Sequence, residues 1–273
     1  MPYPQIDPEI IRIGPFAVRW YGLMYLLGFL AAYWLIPRQK KAVEIGLKGE
    51  TLQDLIFWLA LGVILGGRLG YILFYQYGDL GYYLKNPLEI IAIWHGGMSF
   101  HGGFIGCVLA GYRFSVKKNI RFFDLSDCVL PVAPIGLGLG RIGNFINGEL
   151  FGRPTDVPWA MIFPNGGPVP RHPSQLYESV GEGLVLFLFL WTLQKRNPPS
   201  GVVTGCFITG YGVIRFVLEF FREPDPQIGF IMKVFTMGQV LCMAMIFAGA
   251  ALLVYSIKSR RQSSIINIRR KSL

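Results

Sequence analysis

Charged residues are scarce in this 273-residue chain: Asp, Glu, Lys and Arg make up 15% of it, against about 25% in a typical soluble domain. With 52% apolar residues and long apolar runs, that shortage excludes an ordinary soluble domain and points to an integral membrane protein. Cysteine is sparse too. Cys107, Cys128, Cys206 and Cys242 each sit inside an apolar run, and no two have metal-ligand spacing. They read as small buried hydrophobes, with neither a metal site nor a disulfide expected. The N-terminus, Met1-Pro2-Tyr3-Pro4, lacks a basic stretch, so no cleavable signal peptide is expected and targeting falls to the first span. HExxH is absent, and Ser99 is not in a GxSxG elbow, which leaves little for a zinc protease or a serine hydrolase.

Acidic residues are outnumbered by basic ones, 16 to 26, giving a net charge of +10. The basic excess lies in short segments between apolar runs, as the positive-inside rule describes, so nucleic acid is not an expected partner. About seven apolar segments can be marked, roughly 17–37, 52–75, 97–115, 124–144, 179–194, 201–221 and 235–257. Only the last is uninterrupted and free of charge. Alternate connections are basic: Arg38, Lys40, Lys41 and Lys48 follow the first segment; Arg113, Lys117, Lys118 and Arg121 the third; Lys195 and Arg196 the fifth; and Lys258 to Lys271 the seventh. Basic connections face the cytoplasm. The pattern therefore predicts an all-α integral membrane protein of about seven transmembrane helices, with the N-terminus outside and a basic cytoplasmic tail over 258–273. The whole chain, 1–273, is expected to form one polytopic domain.

The longest external connection, 145–178, contains Pro154, Pro158, Pro164, Pro168, Pro170 and Pro173 and cannot be a long helix. It reads as a small irregular extracytoplasmic lobe of turns and short strands between spans 4 and 5. Gly62, Gly66 and Gly70, and Gly102 and Gly106, form small-xxx-small patterns whose plain reading is close helix packing.

The run Gly140-Arg141-Ile142-Gly143-Asn144-Phe145-Ile146-Asn147-Gly148-Glu149 puts a guanidinium, amides and a carboxylate next to the apolar segment 129–139. An arginine near the bilayer centre costs roughly 2.5–3.5 kcal/mol on insertion scales, so it implies a buried anion or a polar cavity. In the sixth span Tyr211, Arg215 and Glu219 recur at i, i+4 and i+8 among apolar neighbours, with Arg222 three residues on. That stripe admits two readings, a structural Arg215–Glu219 pair or a functional site. Arg141 and Arg215 meeting at one depth would repel unless an anion joined them, and guanidinium forks with nearby Asn144 suit a phospholipid headgroup. Arg68 is a further candidate that could equally pair with a carboxylate. His95 and His101 flank a glycine-rich approach to span 3. His101, deeper in the apolar run, is read either as a proton acceptor or as a hydrogen-bonded structural histidine. Gln175, Glu178 and Glu182 share one helical face, and neutralising an arginine is the role read for Glu182. Gly138-x-Gly140-x-x-Gly143 matches a dinucleotide fingerprint literally, but without a βαβ unit around it the match is accidental.

Taken together, the blocks Trp20–Tyr25, His95–Gly97, Gly140–Gly152, Arg171–Glu178, Tyr211–Phe216 and Glu219–Asp225 resemble the prolipoprotein diacylglyceryl transferase family over nearly the whole chain. The resemblance implies a bacterial inner-membrane enzyme needing no metal or cofactor. Its donor would be phosphatidylglycerol and its acceptor the lipobox cysteine of a prolipoprotein with its signal peptide attached. It implies that Arg141 binds the phosphate, that Arg215 is essential, that His101 is a catalytic candidate, and that Tyr21, Asn144, Glu149, Gly152 and Tyr211 support the site. The rival reading is an organic-anion or lipid transporter using intramembrane arginines. It predicts an internal repeat of the spans, and none is found.

Overall fold

The computed structural model describes the chain except residues 5, 15, 93–95, 224–229, 232–234 and 272–273. A hairpin of β1 (Glu9–Ile13) and β2 (Phe16–Arg19) opens it. Helices follow in order: α1 (Trp20–Leu35), α2 (Lys40–Glu44), α3 (Glu50–Tyr75), α4 (Leu80–Lys85), α5 (Pro87–Ile91), α6 (Phe100–Lys117), α7 (Phe122–Val129), α8 (Ala133–Ile146), α9 (Ser174–Glu178), a π-helical stretch (Ser179–Val185), α10 (Leu186–Gln194) and α11 (Val202–Leu218). A second small hairpin, β3 (Phe230–Ile231) with β4 (Phe235–Thr236), precedes α12 (Met237–Lys271).

Four helical stretches are long and apolar enough to cross a bilayer: Trp20–Arg38, Glu50–Tyr75, Ser174–Gln194 and Met237–Ser259. The pair Phe122–Val129 and Ala133–Ile146 adds a fifth if counted as one broken span. The protein is thus mostly helical and a multi-pass membrane protein. Each of the seven apolar segments of the sequence holds a helix, but α11 is shorter than a full span and α6 is not apolar enough to pass the same measure. Three further boundaries differ from the sequence reading. The first helix starts at Trp20, because Phe16–Arg19 pairs as a strand. The segment 124–144 is broken at 130–132, where Pro131 and Pro134 remove backbone donors. The fifth helical stretch begins at Ser174, so less of 145–178 is irregular than expected.

The chain forms two compact units, residues 40–126 and residues 1–39 with 127–273. In the first, α3 and α6 pack through their glycines. A Cβ on Gly70 would stand 2.6 Å from the Gly102 Cα, and one on Gly66 would strike the Gly102 carbonyl. Ser99 caps α6, accepting from the Gly102 N–H at 3.2 Å. Arg68 is buried in this unit, and its guanidinium donates to the carbonyls of Glu89 (2.7 Å) and Gly96 (2.6 Å). The expected carboxylate or lipid partner is therefore replaced by backbone oxygens, which makes Arg68 a clamp on the segment before α6.

In the second unit, α1 packs on α8, α8 on the π-helical stretch, and α11 on α12. Leu186, Leu190 and Val203 form a buried apolar centre. Asp127 fixes the start of α11, its carboxylate accepting from the backbone N–H groups of Gly201 (2.8 Å) and Thr204 (2.9 Å). Residues 147–173 form an irregular segment, joined to itself by single bridges at Pro154–Arg171 and Met161–Arg171, to the N-terminus at Pro2–Ile162 and to the segment after α11 at Gly152–Arg222. Phe163 is its buried anchor, stacked with Phe151 and edge-on to Phe145.

Candidate active site

Where α8 crosses the π-helical stretch, Gly138 faces Gly183. A Cβ on Gly138 would lie 2.9 Å from the Gly183 Cα. Only glycine lets the two backbones approach this closely. Arg141, less than a turn beyond Gly138, is thereby set against Glu182, the residue before Gly183. Its Nε and Nη2 lie 3.4 and 3.3 Å from Glu182 Oε2. Glu178, four residues before Glu182 at the end of α9, is also within reach, with Oε2 3.0 Å from Arg141 Nε.

From α11, Arg215 brings Nη1 to 2.5 Å from Glu178 Oε1 and Nη2 to 2.6 Å from Glu219 Oε2. Arg222 adds Nη1 at 3.3 Å from Glu178 Oε1. Arginines 141, 215 and 222 and glutamates 178, 182 and 219 thus form one partly to fully buried cluster with balanced formal charge. Here the sequence expectation is corrected. The two guanidinium groups do converge, but Glu178 already joins them, so their convergence alone does not demand an anion from outside. Several carboxylate oxygens remain unsatisfied. Glu178 Oε2, Glu182 Oε1 and Glu219 Oε2 are buried without a directed hydrogen bond, although Glu178 Oε2 and Glu219 Oε2 each have an arginine nitrogen within 3.0 Å. The contacts are ionic but off-axis, so the charges are paired while the lone pairs stay available.

Other predicted residues gather around this cluster. Tyr211, one turn before Arg215, lies within electrostatic reach of Arg141, Glu178, Glu182 and Arg215. Tyr21 packs its ring on Gly143, where a Cβ would come within 2.8 Å of Cδ2, and stands edge-on to Tyr25 at 5.2 Å. Tyr25 interacts in turn with Arg141. The sequence reading missed Tyr25, although its i+4 spacing from Tyr21 was visible.

At the end of α8, Asn144 Nδ2 donates to Glu149 Oε1 at 2.8 Å, and Asn147 Nδ2 donates to the same oxygen at 3.2 Å. The turn between them passes Gly148 at φ +66° and Leu150 at φ +58°, a conformation costly for leucine. It is held by Gln175, which donates to the Glu149 carbonyl at 2.6 Å, and by Ser174, which donates to the Leu150 carbonyl at 3.1 Å. Tyr3 covers the helix end, its hydroxyl 2.5 and 2.8 Å from the carbonyls of Phe145 and Ile146, and its burial raises the phenol pKa.

Gly152 sits in a closed corner. A Cβ there would clash with the Phe221 carbonyl and with His172. The Gly152 N–H donates to the His172 carbonyl at 2.9 Å, and the Arg153 N–H donates to the Phe221 carbonyl at 2.9 Å, which ties 147–173 to the segment after α11. Arg171 locks the same corner through Glu223 at 2.5 Å. His172 itself packs edge-on to Phe221 and Tyr177, and burial lowers its pKa below the ordinary value of 6.5.

His101 belongs to the other unit. It lies in the first turn of α6, exposed and edge-on to Phe100 at 5.7 Å. The expectation of a histidine sunk in the apolar run is corrected accordingly, since α6 starts at Phe100. His95 falls outside the described residues.

Comparison with known proteins bears on what this site does. A family profile described as prolipoprotein diacylglyceryl transferase matches residues 8–255. A phosphatidylglycerol–prolipoprotein diacylglyceryl transferase of Geobacter sulfurreducens is 55% identical over 262 residues, covering 96% of this chain and 99% of that protein. Proteins of the same name from Pseudomonas paraeruginosa and Nitratidesulfovibrio vulgaris are each 53% identical, covering 93% and 92% of this chain and 95% of either relative.

Proposed function

Since the chain belongs to the prolipoprotein diacylglyceryl transferase family, we propose that it carries the diacylglyceryl group of phosphatidylglycerol to the lipobox cysteine of a prolipoprotein that still bears its signal peptide. The cysteine sulfur forms a bond to the glyceryl carbon that held the phosphate. The carbon–oxygen bond to phosphate breaks, and that oxygen leaves with its electron pair as part of glycerol phosphate. The thiol proton passes to a base. The protein works in the bacterial inner membrane with its N-terminus periplasmic and its tail cytoplasmic, and the segment 147–173 covers the periplasmic side. The transporter alternative gains nothing from the relatives, whose names are those of transferases.

One observation supports this use of the site above others: Arg141 and Arg215, from two separate helices, are held to a single buried carboxylate, Glu178. Guanidinium donors fixed beforehand in a low-dielectric pocket stabilise charge as it grows on a leaving phosphate. Such forks match phosphate oxygens in a way that an ammonium does not. Asn144 and Glu149 shape the mouth of the site, while Tyr21 and Tyr211 line it. A free thiol titrates near about 8.5, so a base or a positive field must help form the thiolate. By the family pattern His101 is the candidate base.

The test is direct. Purified protein given phosphatidylglycerol vesicles and a lipobox peptide is expected to yield a thioether-linked lipopeptide, seen by mass spectrometry, together with glycerol phosphate. A peptide with serine in place of cysteine gives no product. Equal lipid turnover with no peptide present would overturn the proposal in favour of a hydrolase.

A further inference from the structure

The arginines and glutamates of the cluster differ in exposure. The side chains of Arg141, Arg215 and Arg222 keep 20%, 13% and 13% of their surface accessible, while those of Glu178 and Glu182 keep none. The glutamates are therefore the deeper members of the cluster and the arginines the shallower ones. Their holds are unequal. Glu182 is 3.3 Å or more from every arginine nitrogen it pairs with, and Glu219 meets Arg215 from one turn further along the same chain segment. Glu178 alone, among the described residues, contacts all three arginines: Oε1 reaches Arg215 (2.5 Å) and Arg222 (3.3 Å), and Oε2 reaches Arg141 (3.0 Å).

We propose that Glu178 is a positioning residue for the transfer reaction: from deeper in the cluster, its carboxylate fixes the spacing of the Arg141 and Arg215 forks, whose accessible edges then receive the lipid phosphate. The inference rests on the function proposed above. Arginine side chains carry large rotamer freedom, and two like charges side by side drift apart without a shared counter-ion. The diester phosphate carries one negative charge, and the glycerol phosphate that leaves carries more once the bond breaks. Donors that are already in register therefore gain most at the transition state. The carboxylate has two effects of opposite sign. It weakens the attraction of the cluster for the resting lipid, and it preserves the geometry in which departing charge is met.

The experiment separates these effects. Initial rates are measured against phosphatidylglycerol with saturating lipobox peptide, per folded molecule counted by size-exclusion in detergent, for wild type, Glu178→Gln and Glu178→Asp. Glu178→Gln removes the charge that joins the forks. Its kcat is expected to fall about 10²-fold, as for a small misplacement of reacting groups, while KM for the lipid also falls because the cluster becomes net positive. Glu178→Asp keeps the charge but is one methylene too short to bridge the forks, so kcat falls with no decrease in KM. Wild-type kcat in Glu178→Gln overturns the inference. So does a loss confined to the folded fraction, with kcat and KM per folded molecule unchanged. If the glutamine variant does not fold, the aspartate variant decides, and full kcat there overturns the proposal. Absence of thioether product from the wild type would instead remove the function on which the inference depends.

Discussion

Gly138 and Gly183 meet so closely that neither could carry a side chain: a Cβ on the first would stand 2.9 Å from the Cα of the second, and one on the second 2.7 Å from the Cα of the first. Each lies next to the charged cluster, Gly138 three residues before Arg141 and Gly183 just after Glu182. The crossing therefore sets the depth at which arginine and glutamate face one another.

Gly138→Val is expected to push α8 from the π-helical stretch and pull Arg141 away from Glu182. Overpacking of this kind costs about 1–3 kcal/mol. Displacement of a phosphate ligand by an ångström lowers turnover by about 10²-fold. Thermal unfolding in detergent and the lipopeptide assay measure the two effects. Wild-type turnover in Gly138→Val would show that this crossing does not set the site.

Arg141→Lys keeps the positive charge but loses the fork. Lysine offers a point charge that cannot hold Glu178, Glu182 and a phosphate in fixed directions. Turnover should drop by about 10²-fold, the usual cost of one lost transition-state donor, while the protein still inserts into membranes. Arg141→Ala should lose more and be less stable, because it leaves Glu182 buried with only a 3.9 Å contact to Arg215. Full activity in Arg141→Lys would rule out forked contact as the explanation.

Much of this site was legible in the sequence. The Tyr211–Arg215–Glu219 stripe was visible as i, i+4, i+8 spacing, and the glycine stripes of α3 and α6 meet face to face as small-xxx-small patterns do. Arg141 stood out because a guanidinium in an apolar run needs a partner. Glu182 was legible as the neutraliser of an arginine and does pair with Arg141, but nothing marked Glu178 as the carboxylate that joins Arg141, Arg215 and Arg222, because that depends on how separate helices pack around it. Gly138 was hidden for a similar reason. Its role depends on Gly183, 45 positions away, and its own surroundings suggested only a false nucleotide motif. The hairpin 9–19 was missed because Phe16–Arg19 runs straight into the apolar span. Arg68 misled because backbone carbonyls, which no sequence pattern marks, supply its counter-dipoles.

His172 gives a pH dependence of stability. Burial keeps its folded pKa below the ordinary 6.5, so the folded protein holds the neutral ring. The unfolded chain gains the proton first as pH falls, so this contribution is intact above about 6.5 and is lost as pH drops towards the folded value. The melting temperature should therefore decline from pH 7.5 to pH 5, and less steeply in His172→Gln. Identical slopes for the two proteins would show that another group governs the decline.

By the family pattern, His101 is the base proposed for the lipobox thiol. His101, exposed at the start of α6, is free of any hydrogen bond among the described residues that would fix it in a structural role. An imidazole can act as general base towards a thiol, and such transfers contribute about 10²–10⁴-fold. His101→Asn should thus lose turnover by about 10²-fold at pH 7. The deficit should shrink towards pH 9, where the peptide thiol ionises without help. A steric or folding defect would depress the rate at both pH values alike. Retained turnover at pH 7, or a deficit that stays constant to pH 9, would assign thiolate formation to the field of the arginines, leaving His101 outside the proton's path.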